Sequence, residues 1–146
     1  GGFLLTTGVV WPPIEFHGGL PGSSSEASED KIAWMTDLDS GLAEAKTTSK
    51  PVVIDTWATW CVNCRRLDKD TWSDDRVAAE ATRFLALKLQ LERSDTPETR
   101  HFLQVFELKQ YSLPTIILID SQGQVRDVIQ GFVGPEEMLK RMQAVT

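Results

Sequence analysis

Regular alternation of apolar and polar positions sets in at Lys31. A short apolar stretch, Ile32 to Met35, leads into a helix-like segment from Asp37 to Lys46 that places Leu38, Leu42 and Ala45 on one face. Pro51 and the apolar run Val52 to Trp57 follow, and the run reads as a strand, completing a β-α-β unit. Cys61 to about Lys69 is expected to be helical, Asp75 to Ala81 to be a short helix, and Phe84 to Leu91 alternates enough for a strand. Thr96-Pro97-Glu98 is a helix start, with an N-cap candidate, a proline at the first helical position and a carboxylate in the first turn. That helix is expected to reach about Leu108 and to bury Phe102, Val105 and Phe106. Thr115 to Ile119 is a β-branched run too short for a helix, and the turn Ser121 to Gln124 joins it to Val125 to Gly131. Strands joined by so short a loop are antiparallel. Gly134-Pro135-Glu136-Glu137 opens a last helix with Met138, Leu139, Met142 and Val145 in one stripe. The predicted order is β-α-β-α-β-α-β-β-α: an α/β domain whose mixed central sheet is flanked by helices.

Ahead of this pattern, from Pro12 to Asp30, proline, glycine, serine and acidic residues take over, a composition that buries too little apolar surface to offset ordering entropy. Residues 1–30 are therefore read as an extension or linker, and residues 31–146 as the domain. Phe3 to Trp11 is apolar but interrupted by Thr6, Thr7 and Gly8, short of the roughly 20 residues that a spanning helix requires. It reads either as a strand added to the domain or as the end of a membrane helix. No basic segment marks a signal peptide. The length, 146 residues, suits one core. Fifteen Lys and Arg against 21 Asp and Glu give a formal charge of −6, which argues against a nucleic-acid partner.

The chain has two cysteines, Cys61 and Cys64, between a strand and a helix. As a structural staple the pair is poor, since closing a four-residue loop contributes only about 2 kcal/mol in the chain-entropy model. As half of a zinc site it lacks partners: His17 falls in the linker and His101 inside a helix. As a redox pair each atom has a reason. The first sulfur sits at a helix N-terminus, where unsatisfied N–H groups favour a thiolate. The second lies one turn inward, within reach of a mixed disulfide formed by the first.

The run Asp55-Thr56-Trp57-Ala58-Thr59-Trp60-Cys61-x-x-Cys64, with Leu113-Pro114-Thr115 ahead of an apolar strand, resembles the thioredoxin superfamily from about Lys31 to Thr146. Val52-Val53-Ile54-Asp55, Lys69-x-Thr71-Trp72-Ser73-Asp74 and Leu113-Pro114-Thr115-Ile116 before Gly123-Gln124 resemble, more narrowly, the C-terminal periplasmic domain of the DsbD family of membrane thiol:disulfide interchange proteins. Asn63, where that family often has a small residue, and the long linker depart from it.

The resemblance implies a thioredoxin fold and an electron relay outside the cytoplasm, with a membrane-embedded dithiol pair of the same full-length protein as donor and a periplasmic protein as acceptor. It implies no metal and no organic cofactor, only a redox-active Cys61–Cys64 disulfide in a monomeric domain. Cys61, nearest the helix end and the solvent, is the expected nucleophile and Cys64 the resolving thiol. Asp68, within about 40° of both cysteines on an ideal helix, is expected to act on the thiolate or to accept a proton, as the family's acid at that place does; the alternative is a solvated residue paired with Arg65. Asp55, in an apolar strand, is expected to have a raised pKa suited to shuttling a proton with Cys64, or else to be satisfied by backbone donors at the strand end. Trp60 is expected to be an exposed contact surface, with Trp57 and Trp72 as packing residues. Pro114 is expected to be cis, leaving the Leu113 backbone to pair with an extended partner segment. Arg65, Arg66 and Lys69 either support the thiolate or form a solvated face. Two other readings are a stand-alone thioredoxin-like reductase, as in cytochrome c maturation, and a module whose cysteines hold a soft metal such as Cu(I).

Overall fold

Five strands form one sheet in the order β1-β3-β2-β4-β5, in a computed structural model that describes residues 31–146. The strands are β1 (Trp34–Met35), β2 (Val52–Trp57), β3 (Leu85–Gln90), β4 (Thr115–Ile119) and β5 (Val125–Gln130). β3 runs parallel to both β1 and β2, while β4 is antiparallel to β2 and to β5. The helices are α1 (Leu38–Thr48), α2 (Val62–Arg66), α3 (Asp75–Ala81), α4 (Pro97–Val105) and α5 (Pro135–Gln143), and α2 runs on into a π-helical turn over Leu67–Thr71. The expectations for Phe3 to Trp11 and for the linker lie outside the described residues. No helix among the described residues is long and apolar enough to cross a membrane.

Alternation along the inner strands sends side chains to opposite faces, so the sheet carries two cores. Val53, Ile116 and Leu118 face Leu67, Trp72, Val77, Met138 and Met142 on one side, and Ile54, Leu87 and Ile117 face Leu38, Ala45 and Phe102 on the other. Caps fix where the helices begin: the Asp37 side chain accepts from Ser40 N at 2.9 Å, Asp74 from Arg76 N at 2.9 Å, and Thr96 from Thr99 N at 3.2 Å.

Three boundaries differ from the sequence expectation. Cys61 is the N-cap of α2 and not its first helical residue. Helix α4 stops at Val105, because Glu107 takes a left-handed φ of 54° and Leu108 N–H donates back to Leu103 C=O at 2.8 Å. Val105 consequently points outward and is 40% exposed, not buried as its spacing suggested. The first strand shrinks to Trp34–Met35, while Ile32 packs into the core.

Candidate active site

Strand β2 ends where the cysteines begin. Trp57 closes the strand, the turn Ala58 to Trp60 reverses the chain, and Cys61 caps α2 with its Sγ accepting Cys64 N–H at 3.1 Å. Cys61 and Cys64 form a disulfide with Cα atoms 5.3 Å apart. Both sulfur residues are buried, at 4% and 2% exposure, so accessibility does not separate them as the sequence suggested. Their hydrogen bonding does. Cys61 Sγ faces a backbone donor, whereas Cys64 Sγ lies 3.6 Å from Thr56 C=O, an acceptor. A donor stabilises a thiolate and an acceptor stabilises the thiol, so in the dithiol form Cys61 is the sulfur favoured to ionise.

The loop ahead of β4 is tied to the same strand end. Leu113–Pro114 is cis, Pro114 is buried, and Leu113 packs with Trp57 against Ala58, Cys61 and Cys64. Past Asp55 the β2–β4 ladder gives way to side-chain bonding: Thr56 Oγ1 donates to Thr115 C=O at 2.9 Å and accepts Thr115 N–H at 2.8 Å. Thr56 thus links Cys64, through its carbonyl, to the cis-proline loop, through its hydroxyl. Trp60 is 55% exposed and Val62 67%, leaving an apolar rim beside the disulfide.

Asp55 is fully buried in β2, with Trp72 Nε1 donating to its Oδ2 at 3.1 Å and Oδ1 without a hydrogen-bond partner. Burial pushes its carboxyl up to about 7, against the opposing pull of the Lys88 ammonium and with a further push from Asp68. Backbone donors at the strand end, the alternative expectation, are not what holds it. Lys88 stands opposite Asp55 in the parallel register of β3, with Nζ 3.4 Å from Asp55 Oδ2 and hydrogen-bonded to Asp68 Oδ1. The ammonium also lies 5.0 Å from the centre of the Trp34 ring, which meets Trp72 edge to face. Trp72 is therefore both a core residue and a donor to Asp55.

Asp68 pairs with Lys88 and not with Arg65, whose guanidinium donates to Thr59 C=O at 2.6 Å. The expectation assumed a uniform helix, but the chain enters the π-helical turn at Leu67, and 100° per residue no longer applies there. Arg66 stacks over Phe132 at 3.9 Å and lies 3.8 Å from Asp70, which makes it part of a surface cluster. Lys88 is the residue the sequence reading missed. Its signal was a cation in the middle of an apolar strand, Leu85-Ala86-Leu87-Lys88-Leu89, matched to the lone acid of another apolar strand. Among the described residues no group of three or more His, Cys, Asp or Glu is placed to hold a metal ion.

The thioredoxin-like domain family matches residues 38–146. The chain is similar to the thiol:disulfide interchange protein DsbD of Vibrio vulnificus (strain CMCP6), at 32% identity over 126 residues that cover 84% of this chain and 21% of that protein. It thus spans about a fifth of the length of the curated relatives it matches. Among solved structures it is similar to the C-terminal domain of Neisseria meningitidis DsbD in the oxidised form, with a TM-score of 0.62, 22% identity, and coverage of 78% of this chain and 100% of that one. A thioredoxin from Thermus thermophilus superposes with a TM-score of 0.64 at 19% identity, covering 78% of this chain and 86% of that one. These structural likenesses show the thioredoxin fold.

Proposed function

The chain belongs to the thioredoxin-like family, and from that premise we propose that it is a dithiol:disulfide oxidoreductase domain that relays electrons from a membrane-embedded dithiol pair to partner disulfides in the periplasm. In this reading residues 31–146 are the working domain of a longer inner-membrane protein, and the Cys61–Cys64 pair is the redox group it uses. The observation that carries the exchange chemistry is the asymmetric pair itself, with Cys61 Sγ on a backbone N–H and Cys64 Sγ beside a carbonyl. The placement in a relay draws on the likeness to DsbD over 84% of the chain.

In the forward direction the Cys61 thiolate attacks one sulfur of the partner disulfide. That S–S bond breaks, a Cys61–partner disulfide forms, and the displaced partner thiolate takes a proton from water. Cys64 then loses its proton, with the Asp55 carboxylate as the base that drives it, and attacks Cys61 Sγ. The mixed disulfide breaks, the second partner sulfur leaves as a thiolate and is protonated, and the Cys61–Cys64 disulfide is restored. Two electrons have passed to the partner, and a donor dithiol returns them by the reverse steps. The partner segment seats against Trp60 and pairs with the Leu113 backbone beside Pro114. Asp68 acts through Lys88 on the charge of Asp55.

Oxidised glutathione tests the assignment of the two sulfurs. Reduced Cys64→Ala should acquire glutathione at Cys61 roughly tenfold faster at neutral pH than reduced Cys61→Ala acquires it at Cys64, followed by intact mass. Faster reaction at Cys64 would reverse the roles.

A further inference from the structure

We propose that Glu92 is a positioning residue for partner docking: its carboxylate pins the turn that carries Trp60, so that the exposed indole is already in place when a partner disulfide arrives. This rests on the exchange reading above. Glu92 lies just past β3, and its side chain accepts Thr59 N–H at 3.1 Å on one oxygen and the Thr59 hydroxyl on the other. Its backbone carbonyl accepts Trp60 Nε1–H at 2.8 Å. One residue therefore holds the turn with its side chain and the indole with its main chain. Gln90 Nε2 donates to the same carboxylate at 2.8 Å, and Leu91 N–H donates to Trp57 C=O at 2.8 Å, so the turn is bonded to the segment after β3 at Trp57, Thr59 and Trp60.

Turn residues at a domain surface are ordinarily mobile, and a Trp on such a turn would lose that freedom on binding. Here Arg65 takes the remaining Thr59 carbonyl at 2.6 Å, and Cys61 N–H donates to Ala58 C=O at 3.1 Å, so the turn has little freedom left to lose. The hydrogen bonds from Thr59 hold the Glu92 carboxyl below the usual carboxylate range, which keeps the anchor ionised through mildly acidic pH. The hydrogen bonds of Glu92 run to Thr59, Trp60 and Gln90 and none runs to a cysteine, so its effect is expected on docking.

The test is reduction of insulin by the full chain with dithiothreitol as electron source, read as separate kcat and KM values. Glu92→Ala should raise KM roughly three- to tenfold with kcat within about twofold of the parent. Glu92→Gln, which keeps an oxygen for Thr59, should recover most of the loss. Thr59→Ala should raise KM less, and should add nothing in the Glu92→Ala background, because both remove the same link. An unchanged KM in Glu92→Ala, a loss carried by kcat, or Glu92→Gln as poor as Glu92→Ala would each overturn the proposal. If thermal melting shows Glu92→Ala unfolded, Thr59→Ala carries the test by the same KM criterion. Failure of the parent chain to reduce insulin would instead overturn the exchange reading.

Discussion

A carboxyl group with no exposed surface, one indole donor and an ammonium 3.4 Å away regains only part of the solvation it gives up on folding. Asp55 accordingly keeps its proton to a higher pH than an exposed carboxyl, its pKa raised from the ordinary 3.8 to about 7, so that acid and carboxylate are both present near neutral pH. Because the folded value exceeds the unfolded one, the folded chain binds the extra proton between the two, and stability from this group is full below about 3.8 and lost as pH rises through about 7. A shift of that size corresponds to roughly 4 kcal/mol. Asp55→Asn should therefore be more stable than the parent at pH 8 and show a flatter profile between pH 5 and pH 8 in guanidinium melts of the oxidised protein. Parallel profiles would mean that Asp55 is not the titrating group. In the reduced protein the same variant should move the pH dependence of Cys61 alkylation. The position of Asp55 was legible because an acid inside Val52-Val53-Ile54 and Trp57 has few solvated options. Lys88 stood out only as a lone cation in an apolar strand, and its pairing with Asp55 was not legible, since which strand lies beside β2, and in what register, is a long-range fact.

Strands and helices were legible wherever an apolar period met a cap or a proline, as at Asp37, Thr96 and Pro135, because those signals are local and act within one turn. Two ends escaped. The π-helical turn at Leu67–Thr71 and the left-handed Glu107 break a helix without a glycine or proline to announce it. Gly41 shows the converse, a residue that reads as a weak point in α1 but serves packing. A Cβ there would stand 2.7 Å from Leu87 Cδ2 and 2.9 Å from its Cγ, and Leu87 is fully buried in the core between α1 and the sheet. Helix propensity alone would favour Gly41→Ala by about 1 kcal/mol. Overpacking a buried leucine costs about 1–3 kcal/mol, which is the larger effect. The variant should be less stable by about 1 kcal/mol or more in a denaturant melt, and a gain in stability would show that α1 is free to move away from β3.

For the molecule as a whole, the direction of electron flow is a statement about which redox form folds better. Folding and reduction form a closed cycle, so any preference of the folded chain for the Cys61–Cys64 disulfide over the dithiol makes that disulfide harder to reduce than in the unfolded chain. A reductant requires the oxidised form to be the more stable one, and a strong oxidant requires the opposite. The geometry bears on both sides. The bond from Cys64 N–H to Cys61 Sγ favours a thiolate in the dithiol state, which pulls towards oxidising character. Against it, Cys64 is 2% exposed with its Sγ beside the Thr56 carbonyl, a setting that resists a negative charge on that sulfur. The disulfide also removes the entropy of a four-residue loop from the unfolded chain, about 2 kcal/mol in the chain-entropy model. With the buried Cys64 and the loop closure acting together, the oxidised protein should withstand guanidinium better than the reduced protein at pH 7, by about 2 kcal/mol, and about 30 mV of potential accompanies each 1.4 kcal/mol of that difference. A reduced form that is the more stable in paired melts would make the domain an oxidant and reverse the proposed relay.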